Sequence, residues 1–208
     1  YWGIESTAID KNGIIWMATD FGLVKLEGKK WIIYNKNDKG EQIDYFFTIS
    51  IDSSGKIWLG ADKGRIASFD GKSWNEYNTT NSNMPWGDVT SIAFDKNGDI
   101  WIGVFHGGVV KFDGKNMTVY TPNNSQLLSD LVTSVAVDKE GNKWIGAIYG
   151  GLTKISGNIW TNYNLTSLEM SDNDVTTIYI DKNDNKWIGT QHTNLAKFDG
   201  LNWDIYYE

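Results

Sequence analysis

The chain of 208 residues contains no cysteine, two prolines and two histidines. Without cysteine there is no disulfide, no thiolate metal site and no thiol nucleophile. This leaves the compartment open, since cysteine-free chains occur both in the bacterial cytoplasm and outside it. Lysine and arginine total 19 against 26 aspartates and glutamates, a net charge of −7, and no basic block occurs. Nucleic acids and anionic membrane surfaces recruit clustered Lys and Arg, so neither is an expected partner. No run of apolar residues reaches the roughly 18 needed for a membrane-spanning helix. The sequence opens at Tyr1 with no Met and no visible signal peptide, and reads as a mature product or an excised segment.

Aromatic residues, by contrast, are abundant at 14%, with eleven Trp, and they recur. Trp16, Trp58, Trp101, Trp144 and Trp187 stand 42, 43, 43 and 43 residues apart. Trp31, Trp74, Met117, Trp160 and Trp203 run in phase at a constant 43. A strand-rich period of about 40–45 residues is the signature of a propeller blade. The expected fold is all-β: a five-bladed β-propeller, each blade a four-stranded antiparallel meander. Blades fall at about 1–43, 44–86, 87–129, 130–171 and 172–208 by the spacing of the repeat. They are expected to share one domain, because a blade buries both faces only against neighbours. Packing of blade 1 on blade 5 is favoured over excision from a longer propeller, which would bare two broad apolar faces.

The third repeat shows the strands most plainly. Val89 to Phe94 is β-prone and ends in the turn Asp95-Lys96-Asn97-Gly98. Asp99 to Val104 follows, then a His106 to Gly108 turn, Val109 to Phe112, the hairpin signal Asp113-Gly114, and Asn116 to Tyr120. We letter these strands A to D from the inside out. Asp10, Asp52, Asp95, Asp138 and Asp181 open the A–B turns and are expected to cap them by side-chain to backbone hydrogen bonds. Calcium is not expected there, because further acids at ligand spacing are missing. Two residues after each Trp of the first series stands Ala18, Gly60, Gly103, Gly146 or Gly189. A missing side chain on the Trp face predicts close approach of the next blade.

The segment "VTSIAFDKNGDIWIGVFHGGVVKFDG" (Val89 to Gly114) resembles the two-component regulator propeller repeat, and Val132 to Gly157 and Val175 to Gly200 match it almost as well. That repeat is typical of the extracytoplasmic sensor regions of bacterial hybrid histidine kinases. The resemblance therefore implies a non-catalytic ligand-binding sensor outside the cytoplasm. It differs in having five units where such sensors carry longer arrays, and in keeping the double glycine of the B–C turn only in repeats three and four. A weaker similarity to streptogramin-lyase propellers implies an enzyme as a third reading, behind a protein-interaction or dimerisation scaffold.

Uniform blades throw the variable rim of B–C turns and D–A loops into relief, and variation there is where binding is written. Five residues after each Trp come Phe21, Lys63, His106, Tyr149 and His192, preceded by Asp20, Asp62, Phe105, Ile148 and Gln191. Trp86, beside Pro85 in a D–A loop, belongs to neither Trp series. An exposed aromatic there stacks on a sugar ring or a partner side chain; a buried one caps the seam. Trp2 is expected to help pack blade 1 on blade 5, and Met84, Leu127 and Met170 to plug the loops. The expected ligand site comprises Trp86, Phe21, Lys63, His106, Tyr149, Gln191 and His192, and its ligand is a small, carbohydrate-like molecule. No catalytic residue, metal or cofactor is assigned, because no Ser-His-Asp order, phosphate loop or His-Glu metal motif is recognisable.

Overall fold

The structure, a computed structural model, describes residues 3–43, 45–168, 170, 172–192 and 195–207. Their twenty strands form five antiparallel sheets of four, each in chain order. The first sheet holds β1 (Ile4–Ile9), β2 (Ile15–Thr19), β3 (Gly22–Glu27) and β4 (Lys30–Tyr34). The second holds β5 (Thr48–Ile51), β6 (Ile57–Gly60), β7 (Ile66–Phe69) and β8 (Trp74–Tyr77). The third comprises β9 (Asp88–Phe94), β10 (Ile100–Phe105), β11 (Gly108–Phe112) and β12 (Met117–Tyr120). The fourth comprises β13 (Val132–Val137), β14 (Lys143–Ala147), β15 (Gly151–Ser156) and β16 (Ile159–Tyr163). The fifth comprises β17 (Val175–Ile180), β18 (Lys186–Thr190), β19 (Leu195–Phe198) and β20 (Trp203–Tyr206). These are the five blades of the expected propeller, and strand ends lie within a residue or so of those read from the turns. A single 3-10 turn, Leu165–Leu168, interrupts the all-β pattern among the described residues. The chain divides into two compact units, residues 1–92 and 93–208.

In the first unit, the seam between blades 1 and 2 is built from Trp16, Leu23, Phe46, Leu59 and Phe69, with Tyr34 and Trp74 packed against them. The second unit repeats the arrangement twice. Trp101, Val109, Val135, Ile145 and Ile155 fill the seam of blades 3 and 4. Trp144, Leu152, Ile178, Ile188 and Phe198 fill that of blades 4 and 5. Trp16, Trp101 and Trp144 of the first series and Trp74, Trp160 and Trp203 of the second are therefore seam residues, whereas Trp31 is 55% exposed. Met84, Leu127 and Met170 are buried, as loop plugs should be. Trp2 lies outside the described residues.

The A–B turn explains why Asp and Trp recur at a fixed offset. In every blade one carboxylate oxygen of the turn Asp accepts backbone N–H groups two and four residues on, as in Asn142 N to Asp138 Oδ1 at 2.8 Å. The other oxygen accepts the indole Nε1–H of the Trp six residues on, at 3.2, 3.0, 3.2, 2.9 and 3.1 Å in blades 1 to 5. The expected backbone capping is present, and the indole bond is an addition to it. An indole N–H inside a seam needs such a partner, since burying it unpaired is costly. In the second unit a lysine of the following blade joins in. Lys143 lies 3.0 Å from Asp95 Oδ2 and over the Trp101 ring, and Lys186 lies 3.5 Å from Asp138 Oδ2 and over Trp144.

The glycines beside the Trp residues are small for the expected reason. A Cβ on Gly60 would stand 2.4 Å from Val89 Cγ1, and one on Gly146 would stand 2.3 Å from Val175 Cγ1. In both cases the obstacle is the first strand of the next blade.

Candidate functional site

In the first unit, turns and loops from blades 1 and 2 converge on a polar cavity of about 640 Å³. Its walls come from four places. Asp20 belongs to the β2–β3 turn, Asp62, Lys63 and Arg65 to the β6–β7 turn, and Tyr45, Asn78, Thr79 and Thr80 to the loops after β4 and β8. B–C turns and D–A loops thus share one cavity, as the rim argument requires.

Charge in the cavity is arranged in pairs. Asp62 lies 3.4 Å from Lys63 Nζ and 4.0 Å from Arg65. The Arg65 guanidinium sits over the ring of fully buried Phe46, 5.5 Å from its centroid, and donates to the Tyr45 carbonyl at 3.4 Å. These contacts hold a rotamer-rich side chain in one place. Tyr45 itself takes a positive φ of 55° and packs edge-on against Phe47 at 4.8 Å, and the residue is 41% exposed. Asp20 stands apart: its Oδ1 is buried and has no hydrogen-bond partner in the structure. A buried carboxylate oxygen without a donor is costly, and this one is closed off from solvent.

Of the residues singled out from the sequence, Lys63 lines this cavity. Trp86 does not, but its loop is bound to the Lys63 turn. Gly64 N donates to Gly87 O at 2.5 Å, and a Cβ on Gly64 would collide with Pro85 O at 1.9 Å. The Trp86 side chain is 66% exposed, so it is not a seam cap. Phe21 is half-exposed and follows Asp20, its N–H held by Thr19 Oγ1 at 3.1 Å.

The remaining candidates lie in the second unit. Asp174 joins two of them, its Oδ1 accepting Tyr149 N–H at 2.7 Å and its carbonyl accepting Gln191 N–H at 2.9 Å. His192 Nδ1 lies 3.4 Å from Asp172 Oδ2, and its side chain is largely exposed. His106 is exposed as well, its ring edge-on to Phe105 at 4.8 Å. Lys63, His106 and Tyr149 share a conformation, with φ of 53°, 69° and 59°. Non-glycine residues resist this left-handed region by about 1–2 kcal/mol, and glycine would serve the turn alone. All three side chains are exposed.

Sequence reasoning passed over Arg65, Tyr45 and Asn78 to Thr80. One signal was available. Arg65 is the chain's only arginine, and it stands where repeats three and four carry the second glycine of the B–C turn, Gly108 and Gly151. Among the described residues no cluster of three or more His, Cys, Asp or Glu could hold a metal ion, and no helix is long and apolar enough to cross a membrane.

Four-stranded antiparallel sheets in series, with Trp-lined seams within each unit, define a β-propeller. Residues 83–106, which include Trp86 and His106, match the two component regulator propeller family. The resemblance read from the repeats is thereby borne out. The extracellular domain of a hybrid two component system from B. thetaiotaomicron is 26% identical over 99% of this chain and 28% of its own, with a TM-score of 0.80. A second such domain from the same organism is 20% identical over 100% of this chain and 31% of its own, with a TM-score of 0.81. The chain thus spans less than a third of the length of either. A catalytically inactive virginiamycin B lyase from Staphylococcus aureus, solved with quinupristin, shares the fold at 15% identity, with a TM-score of 0.81 over 100% of this chain and 70% of that one. No curated protein matches the chain.

Proposed function

We propose that this chain is the ligand-reading part of an extracytoplasmic bacterial sensor, and that it holds a small glycan unit in the polar cavity of its first unit. The observation that carries the reading is the convergence of Asp20, Asp62, Lys63, Arg65 and the exposed Tyr45 on one open polar cavity. Sugar hydroxyls donate to carboxylates and accept from guanidinium and ammonium groups, and an exposed Tyr ring offers a face for the sugar's C–H side. Two carboxylates, Asp20 and Asp62, balance two cations, Lys63 and Arg65. That balance suits a neutral polyol better than an ion. The extracytoplasmic placement is supported by the extracellular domains to which the chain is similar. No metal or cofactor enters the proposal.

Calorimetric titration with a panel of oligosaccharides tests it. At least one glycan is expected to bind, and Asp20→Ala or Tyr45→Ala to weaken it by about tenfold or more, the loss of one good contact. Heat from no glycan, or affinity indifferent to both variants, overturns the reading. Trp86→Ala then shows whether the site extends along the rim.

A second reading, a protein-contact scaffold, draws on one observation: Trp86 is prominently exposed outside the cavity. A stable dimer in light scattering that Trp86→Ala dissolves, with no small-ligand response, would favour it. A lyase-like reading needs an enclosed imidazole beside a reacting group, and both rings here face solvent.

A further inference from the structure

Each blade from the second onward meets the preceding blade with one face, here called its front, and the corresponding face of blade 1 is exposed. Twelve residues before each Trp of the first series stand Ile4, Phe46, Val89, Val132 and Val175. Phe46 lies in the seam of blades 1 and 2, Val89 against Gly60, Val132 in the seam of blades 3 and 4, and Val175 against Gly146. Those four are fully buried, whereas Ile4 is 54% exposed. Trp31 departs from its series in the same way, since Trp74, Trp160 and Trp203 pack against their seams while Trp31 is bare. With Met17, Thr19 and Val24 these two side chains line an apolar groove of about 510 Å³. The hydroxyl of Thr19, the one polar side chain among the five, already donates to Gly22 O at 2.8 Å.

The internal seams show what covers a face of this kind. It is the back of the preceding blade, which offers a Trp, a small residue, an aliphatic residue and a Tyr. Blade 4 supplies Trp144, Gly146, Leu152 and Tyr163 to the front of blade 5. Blade 5 carries the same set in Trp187, Gly189, Leu195 and Tyr206, with Gly189 paired to Leu195 and Leu195 to Tyr206 across the sheet. Yet Leu195 is 38% exposed, where Leu23, Ile66, Val109 and Leu152 are fully buried, and Tyr206 is 45% exposed. A Cβ on Gly189 would meet, among the described residues, Thr177 and Thr176 of its own blade, whereas one on Gly146 would meet Val175 of the next. We propose that the front of blade 1 docks on the back of blade 5 of a second copy of this chain, Ile4 entering the hollow at Gly189 as Val175 enters the one at Gly146. The second copy is the occupant because it presents, exposed, the four residue types that cover every other front. Taking Ile4, Trp31 and Leu195 out of water drives the association. The contact joins unlike faces, so copies add head to tail.

Sedimentation velocity of the full chain over a range of concentrations tests this, and the mass is expected to rise from one copy to two or more. Ile4→Glu charges the front and Leu195→Glu charges the back. Each alone is expected to weaken association by about tenfold or more with Tm kept, because both side chains are exposed. Mixed together, the two variants are expected to recover a dimer and nothing larger, since one keeps an intact back and the other an intact front. Should either fail to fold, Trp31→Lys and Tyr206→Lys charge the same two faces. Trp86→Ala is expected to leave the association unchanged, which separates this contact from one made at the rim. A chain that stays single at every concentration, association that a front or back variant leaves intact, or a mixture that stays monomeric overturns the proposal.

Discussion

At the scale of single residues, the seams leave little slack. Gly146 has Val175 Cγ1 where its Cβ would be. Gly146→Ala must therefore push blade 5 away or distort β14, and overpacking of this kind costs about 1–3 kcal/mol. A urea denaturation series should show a lower midpoint with an unchanged slope. Ser68 presents the opposite case. It stands opposite Trp58 in the β6–β7 pair, where the other blades place Lys25, Lys111, Lys154 and Lys197, and its buried hydroxyl has no partner in the structure. Lys56 covers the Trp58 ring in place of the missing lysine. Ser68→Ala removes an unpaired hydroxyl without opening a large void, and a gain of about 1 kcal/mol is expected, read from the same denaturation series.

At the scale of elements, the A–B turn is the joint that connects sequence motif to seam. Asp138 accepts from the backbone of its own turn, from Asn142 and from the Trp144 indole, and it faces Lys186 of blade 5, whose side chain is 6% exposed. Asp138→Ala strands the indole N–H and leaves Lys186 with only Asp184, at 2.8 Å. Removing one partner of a buried pair costs about 3–5 kcal/mol, so thermal unfolding of this variant should begin well below that of the parent chain. The motif was legible in the sequence because it is local, Asp and Trp lying six residues apart. Its indole bond was not legible, because sequence spacing does not say which way a ring edge points. The B–C turns divide similarly. Their place in the B–C turns followed from the repeat, whereas the left-handed backbone of Lys63, His106 and Tyr149 did not, since all three precede glycines that could have carried the turn themselves.

At the scale of the whole molecule, the repeated turn makes stability depend on pH in a definite direction. Asp10, Asp52, Asp95, Asp138 and Asp181 are all held below the ordinary carboxylate range. For Asp138, burial pushes the pKa up, and hydrogen bonds from Trp144 and Asn142 more than reverse it. For Asp181, the side-chain bond from Asn185 is the foremost cause. A carboxyl with a lowered folded pKa binds protons more readily in the unfolded chain, so its contribution is complete above the unfolded value and disappears as pH falls through the folded one. Urea midpoints should therefore hold steady down to about pH 4, the unfolded aspartate range, and drop steeply below it. Asp138→Asn should flatten that drop; an equally steep decline in the variant would mean that other groups govern acid unfolding.

Strand number, strand order, the Trp seams and the roles of the small residues beside them were determined by the sequence itself. Each depends on a period, a turn signal or a side-chain alternation that acts over a few residues and is written five times. The cavity of Asp20, Tyr45, Asp62, Arg65 and Asn78 was decided only by tertiary structure. It arises where turns and loops from blades 1 and 2 meet. What forms there depends on which charged and aromatic side chains converge, a balance of distances that no single repeat contains.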